Sequence, residues 1–119
     1  MKLSVLVVED EVMVSMILED MIEDAGYAVA GAAVSIDAAL ALLADGRTVH
    51  CALLDVNLRG QLSYPVADAL DARGIPYAFT SGYGAGGIDP RYKDRPVLSK
   101  PIDAAKLTAF LAEQAKGAG

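Results

Sequence analysis

Six side chains could do joint chemistry if the fold gathers them: Glu9, Asp10 and Asp55, the hydroxyls of Thr80 and Ser81, and Lys100. Adjacent carboxylates repel, and each costs free energy when partly desolvated. Such a cluster persists best when a divalent cation and a lysine ammonium balance its charge. A donor set made only of oxygen favours magnesium over zinc. Each residue alone has an ordinary explanation. Glu9 and Asp10 suit the positive start of a helix, worth ~0.3 to 1 kcal/mol. Lys100 before Pro101 suits a solvated turn, and Asp55, Thr80 and Ser81 are polar residues of the kind that end strands. What sets the six apart is that all follow or close apolar runs.

Those runs alternate with stretches of helical periodicity, which predicts a βα repeat. Leu3 to Val8 is continuously apolar, as a strand buried on both faces of a parallel sheet must be. Met13, Ile17, Met21 and Ile22 then place an apolar stripe on a helix over about 12–25, stopped by Gly26. A strand over 27–33 follows. Ser35 caps a helix through Ala44 with Leu40 and Leu43 inward and Gly46 behind it. A third strand covers 49–55, residues 57–65 read as a loop, and a helix over about 66–73 ends at Gly74. Pro76 introduces a fourth strand, 77–81. Residues 82–96 carry four glycines and two prolines, so a long loop with at most a turn of helix is expected there. A short strand over 97–99 precedes a last helix, capped by Asp103, that runs to about Ala115 with Leu107, Phe110 and Leu111 inward. The pattern is a doubly wound α/β layer structure in one domain, 1–119. Ligands of such sheets bind beyond the carboxyl ends of the strands, where the six residues fall.

Composition narrows the field of functions. Ten Lys and Arg against sixteen Asp and Glu give a net charge of −6, which repels nucleic acid and anionic membranes. Hydrophobic residues make up 54% of the chain, enough for a substantial core, yet no run approaches the ~20 residues that span a bilayer. The N-terminal apolar run meets two acids with no cleavage site after it, so a cytoplasmic location is expected. Cys51 is the one cysteine and His50 the one histidine, which excludes a disulfide and a Cys/His metal cluster.

Val-Val-Glu-Asp at 7–10, Leu-Leu-Asp-Val-Asn-Leu at 53–58 and Ser-Lys-Pro at 99–101 together resemble the receiver domains of two-component response regulators, over nearly the whole chain. The resemblance implies a flavodoxin-like five-stranded parallel sheet of order 2-1-3-4-5, with the fourth helix short or absent. It implies that Asp55 accepts a phosphoryl group from a phosphohistidine. Mg²⁺ would be held by Asp10 directly, by Glu9 through water, by the Asp55 carboxylate and by the Asn57 carbonyl. Positioning and charge neutralisation by Mg²⁺ and Lys100 are most of what phosphoryl transfer needs. The family's switch hydroxyl maps to Ser81, five residues after Pro76, with Thr80 the alternative. The resemblance also implies a cis Lys100-Pro101 bond, a monomer or a weak phosphorylation-dependent dimer, and a sensor histidine kinase or phosphotransfer protein as partner. Phe79, Thr80, Ser81, Gly82 and Tyr83 resemble the Phe-Ala-Thr-Gly-Tyr motif of stand-alone regulators paired with HWE-type kinases.

Two features depart from the family. Val97 stands where an aromatic switch is usual, and 84–96 stands where a fourth helix is usual; Tyr83 could substitute as a switch or screen the acyl phosphate from water. Tyr64, Tyr77 and Tyr92 carry no assignable role. One rival is an aspartate-nucleophile phosphatase, but those enzymes place the nucleophile after the first strand with an acid two residues on, where this chain has Asn57. The other is a phosphorylation-independent binding module, which has no physical need for clustered charge.

Overall fold

A computed structural model describes residues 2–118. The apolar runs form strands and the periodic stretches form the crossovers between them: β1 (Ser4–Val8), α1 (Val12–Asp24), β2 (Ala28–Ala33), α2 (Ile36–Ala44) and β3 (Cys51–Asp55). A small hairpin, β4 (Asn57–Leu58) and β5 (Gln61–Leu62), precedes α3 (Tyr64–Ala72) and β6 (Tyr77–Ser81). Two 3₁₀ turns, Gly84–Gly87 and Pro90–Tyr92, lead to β7 (Val97–Ser99) and α4 (Ala104–Ala118). The main sheet runs β2-β1-β3-β6-β7 with every pair parallel, which is the expected 2-1-3-4-5 order of the flavodoxin-like fold. Its register matters most for function. Val8 lies beside Leu54, Asp55 beside Thr80 and Ser81 beside Ser99, so the strand ends are flush and the residues after them share one edge.

Side chains alternate across the sheet and build a core on each face. Leu6, Val8, Leu54 and Phe79 pack under α2 and α3 with Leu43, Val66 and Leu70. Val5, Val7 and Leu53 pack under α1 and α4 with Leu18, Ile22, Leu107 and Leu111. Cys51 is buried in the second core, and burial pushes its thiol up to about 12, as suits an inert core residue. Ser35 caps α2 by accepting from the Ala38 N–H at 3.1 Å. The Asp103 carboxylate accepts from the Ala105 N–H at 2.8 Å at the start of α4.

Several sequence expectations need correcting. The buried side of α1 is Ser15, Leu18 and Ile22. Met13 is 78% exposed, Ile17 is 52% exposed, and Met21 is half-buried, so the expected stripe is rotated outward. On α2 the inward residues are Ala39 and Leu43, and Leu40 is half-buried. Val49 and His50 fall outside β3. His50 still tethers the edge, because its Nδ1 accepts from the Ser4 N–H at 2.8 Å. α3 begins two residues early with Pro65 in its first turn, where a missing N–H costs nothing, and α4 runs on to Ala118. The expected loop at 57–65 contains the β4–β5 hairpin.

Candidate functional site

The flush strand ends bring Glu9, Asp10, Asp55 and Lys100 together. Lys100 Nζ donates to Asp55 Oδ2 at 2.9 Å and forms an ion pair with Glu9 Oε1 at 2.8 Å. Glu9, Asp10 and Asp55 each offer a carboxylate oxygen within 4.8 Å of the others. One oxygen of each acid is tied to backbone. Glu9 Oε2 accepts from the Glu11 N–H at 3.0 Å, Asp55 Oδ1 from the Asn57 N–H at 3.2 Å, and Asp10 Oδ2 from the Arg59 N–H at 3.0 Å. The Lys100-Pro101 bond is cis.

Burial sets the electrostatics. Glu9 is fully buried, and desolvation lifts its carboxyl to about 7 against the opposing pull of Lys100 and the Glu11 N–H. Burial also works to raise Asp10, but the Arg59 N–H and Glu9 outweigh it and hold its carboxyl below the ordinary value. Desolvation favours a neutral Lys100, yet its bonds to Glu9 and Asp55 prevail and hold the ammonium above its ordinary value. With Glu9 ionised, three carboxylates against one ammonium leave two negative charges in excess. A divalent cation would neutralise that excess, and the all-oxygen donors suit Mg²⁺.

Above Asp55 lies a cavity of about 570 Å³ whose walls include Asp10, Asn57, Leu62, Ser81, Tyr83 and Lys100. Of the two candidate hydroxyls, Ser81 lines this cavity. Ser81 Oγ accepts from the Tyr83 N–H at 3.1 Å, and the Lys100 N–H donates to the Ser81 carbonyl at 2.8 Å. Thr80 is buried, and its Oγ1 has no hydrogen-bond partner among the described residues. Tyr83 is 91% exposed at the cavity's rim. Asn57 is exposed, and its side-chain Oδ1 accepts from the Gly60 N–H at 2.9 Å.

The segment beyond Tyr83 is fastened by an aromatic that the sequence left without a role. Tyr92 is 3% exposed, stacks on Tyr64 at a centroid distance of 4.7 Å, and meets Phe79 edge-on at 5.8 Å. Its hydroxyl donates to Asp68 Oδ1 at 2.6 Å and accepts from Arg91, whose guanidinium lies over the Tyr92 ring. The Tyr64 hydroxyl accepts from the Asp89 N–H at 2.8 Å. The third unassigned tyrosine, Tyr77, donates to Asp71 and accepts from Arg95 at the opposite edge of the sheet. The Arg59 backbone was equally invisible as a site group. Only an unusual turn dipeptide, Arg59-Gly60, marks it in the sequence.

Comparison with solved structures gives close likenesses. The solution structure of SdrG from Sphingomonas melonis Fr1 is 41% identical over 96% of this chain and 97% of that one, with a TM-score of 0.83. The BeF3-activated conformation of SdrG from Pseudomonas melonis Fr1 is 42% identical over 92% of each chain, with a TM-score of 0.80. The Erythrobacter litoralis PhyR response regulator REC domain shares the fold at 22% identity, covering 96% of this chain and 90% of that one with a TM-score of 0.80. No family model and no curated protein matches the chain.

Proposed function

The chain belongs to the receiver-domain family of response regulators, and from that premise we propose that it accepts a phosphoryl group onto Asp55 from a sensor histidine kinase or a phosphotransfer protein. The observation that carries this reading is the Lys100 ammonium, which bridges Glu9 and Asp55 at 2.8 and 2.9 Å on the floor of an open cavity. A related chain, SdrG, has a BeF3-activated conformation. Beryllofluoride is a tetrahedral stand-in for a phosphoryl group on a carboxylate, so the same chemistry fits Asp55.

In the transfer, an Asp55 carboxylate oxygen attacks phosphorus. The P–O bond forms as the P–N bond to the donor imidazole breaks, and the nitrogen keeps the electron pair. Asp55 is positioned by the Asn57 N–H on one oxygen and by Lys100 on the other. Lys100 faces the transferring oxygens and offsets their charge. Asp10, Asp55, the Asn57 carbonyl and Glu9 would hold Mg²⁺, which supplies further neutralisation of those oxygens when bound. Ser81 Oγ lines the cavity and is the hydroxyl that turns toward the new phosphoryl group, giving up the Tyr83 N–H as it does so.

A protein donor suits the surroundings. Val12, Met13, Met16 and Ile17 expose an apolar strip on α1, and Glu11 at the head of that helix lines the cavity. No helix among the described residues is long and apolar enough to cross a membrane; the cytoplasmic setting of the exchange rests on the receiver-family reading. Output from these residues passes through protein contact or through the phosphoryl group itself, as an adaptor, a relay step or a phosphate sink.

The test is intact mass after incubation with Mg²⁺ and acetyl phosphate or a phosphorylated histidine kinase. Wild type gains a single hydroxylamine-labile phosphoryl adduct and Asp55→Asn gains none. An adduct retained in Asp55→Asn refutes the assignment. No adduct in wild type from either donor refutes phosphoacceptor function altogether and leaves a binding module.

A further inference from the structure

Each of the three acids in the site has one oxygen pinned by a backbone N–H, but the pins differ in origin. Glu9 and Asp55 are held by the amides two residues further along, Glu11 and Asn57, so those pins come with the local chain. Asp10 is held from 49 residues away, by the Arg59 N–H at the tip of the β4–β5 hairpin. Asp10 Oδ2 takes that bond.

The hairpin is shaped for this contact. Asn57 pairs with Leu62 and Leu58 with Gln61, which leaves Arg59 and Gly60 as a two-residue turn with φ of +52° and +81°. Such a turn needs positive φ at both positions, which glycine adopts freely and arginine does not. Arg59 is the only non-glycine residue with positive φ among the described residues. Backbone in that region persists where its surroundings over-determine it, and it concentrates at functional sites. Here the surroundings are visible. Leu58 is 1% exposed and anchors one arm of the hairpin in the core. Asn57 Oδ1 accepts from the Gly60 N–H at 2.9 Å, and the Ser63 N–H donates to the Val56 carbonyl at 2.8 Å. Among the described residues the Arg59 guanidinium makes no hydrogen bond or ion pair, so the residue meets the site through its main chain.

We propose that the β4–β5 hairpin is a positioning clamp for the cation site, with the Arg59 N–H holding Asp10 so that Oδ1 faces the incoming Mg²⁺. This rests on the reading of Glu9, Asp10 and Asp55 as the cation site. Arg59 acts through Asp10 and touches neither cation nor phosphoryl group.

Two turn variants separate the clamp from a merely structural hairpin. Gly60→Val places a β-branched residue at φ +81° where nothing lies within 4 Å of the new Cβ, so it strains the turn without a clash. Arg59→Asn puts a residue that tolerates the left-handed region at φ +52° while keeping the N–H. The readout is Mg²⁺ titration of the ¹⁵N-labelled chain by NMR, with calorimetry for the dissociation constant and a melting temperature taken without cation. Gly60→Val weakens Mg²⁺ binding by about tenfold, the order lost with a partner that orients a metal ligand. Arg59→Asn tightens it, and the Arg59 amide of wild type shifts as Mg²⁺ is added. If Gly60→Val lowers the melting temperature but binds Mg²⁺ within twofold of wild type, the hairpin is structural only and the proposal fails. If wild type itself shows no saturable Mg²⁺ binding, the cation-site reading fails and takes the clamp with it.

Discussion

Replacing Lys100 with methionine keeps the stem's volume and removes the ammonium that pairs with Glu9 and Asp55 at 2.8 and 2.9 Å. Breaking a buried ion pair from one side costs about 3–5 kcal/mol, because the other partner stays desolvated and uncompensated. The Lys100 side chain is 22% exposed, which puts the loss at the lower end, near 3 kcal/mol. At roughly 4 °C per kcal/mol for a domain of this size, the melting temperature falls by ~12 °C. The loss depends on pH. Lys100 is held above its ordinary value and stays charged throughout the neutral range, so the dependence comes from the acids it leaves behind. Glu9 titrates at about 7 in wild type and higher without its ammonium. At pH 5.5 Glu9 is neutral with or without the ammonium and the penalty shrinks; at pH 8 wild-type Glu9 is ionised against Lys100 and the penalty of losing that partner is greatest. Saturating Mg²⁺ at pH 8 restores much of the stability by replacing the missing positive charge. Thermal unfolding at both pH values, with and without Mg²⁺, measures all of this. A loss equal at pH 5.5 and 8 and indifferent to Mg²⁺ would show that Lys100 contributes only the packing of its stem, and the charge-balance account of the site would be wrong.

Glu9→Gln isolates the same electrostatics from the other side. Because the folded value, about 7, lies above the ordinary 4.5, the folded chain binds the extra proton between those pH values. Wild-type stability therefore declines as pH rises through that window, by on the order of 3 kcal/mol. Urea midpoints from pH 4.5 to 8 should lose that decline in Glu9→Gln, and an unaltered slope would count against the buried acid. Tyr92→Ala should cost ~3–5 kcal/mol through the cavity it opens beside Tyr64 and Phe79, and speed amide exchange over 84–91. Tyr92→Phe, which keeps the ring and loses the bond to Asp68, should cost about 1 kcal/mol; equal losses would mean that the ring is not what fastens the segment. Met13→Ser and Ile17→Ser should shift stability by less than ~0.5 kcal/mol, since both side chains are exposed, and a loss above ~2 kcal/mol in denaturant unfolding would return them to the core.

The strand ends were the most legible part of this chain, and the helix faces the least. Continuous apolar runs closed by Glu9, Asp55, Ser81 and Lys100 state both the strands and the edge, because a parallel strand buried on two faces admits polar side chains only where it leaves the sheet. The phase of α1 could not be read in the same way. Residues 12–18 are apolar except Ser15, so periodicity offers no preferred face, and tertiary packing chose the one that puts the small Ser15 inward beside Leu18 and Ile22. α2 has the same ambiguity across its run of alanines and leucines. Glycines and prolines over 82–96 declared a segment without a full helix. They could not declare that Tyr92 would reach back to Tyr64 and Asp68, since nothing local encodes a partner 24 or 28 residues away. The hairpin escaped notice because Arg59-Gly60 is not the Asn-Gly or Asp-Gly pair that usually announces such a turn.

The flush register of the sheet has a consequence for biosynthesis. The site draws on positions 9–10, 55–57, 81 and 100, which lie at or just beyond the ends of four strands that pair in parallel. Every one of those contacts closes a long stretch of chain, the slowest kind of contact to form during folding. A nascent chain that has not yet extruded residue 100 holds acids without their ammonium, and one whose β6 and β7 have not docked holds no cavity. On the proposed function, competence for phosphoryl transfer requires all four strands to be docked, so a chain lacking β7 and Lys100 would not accept a phosphoryl group.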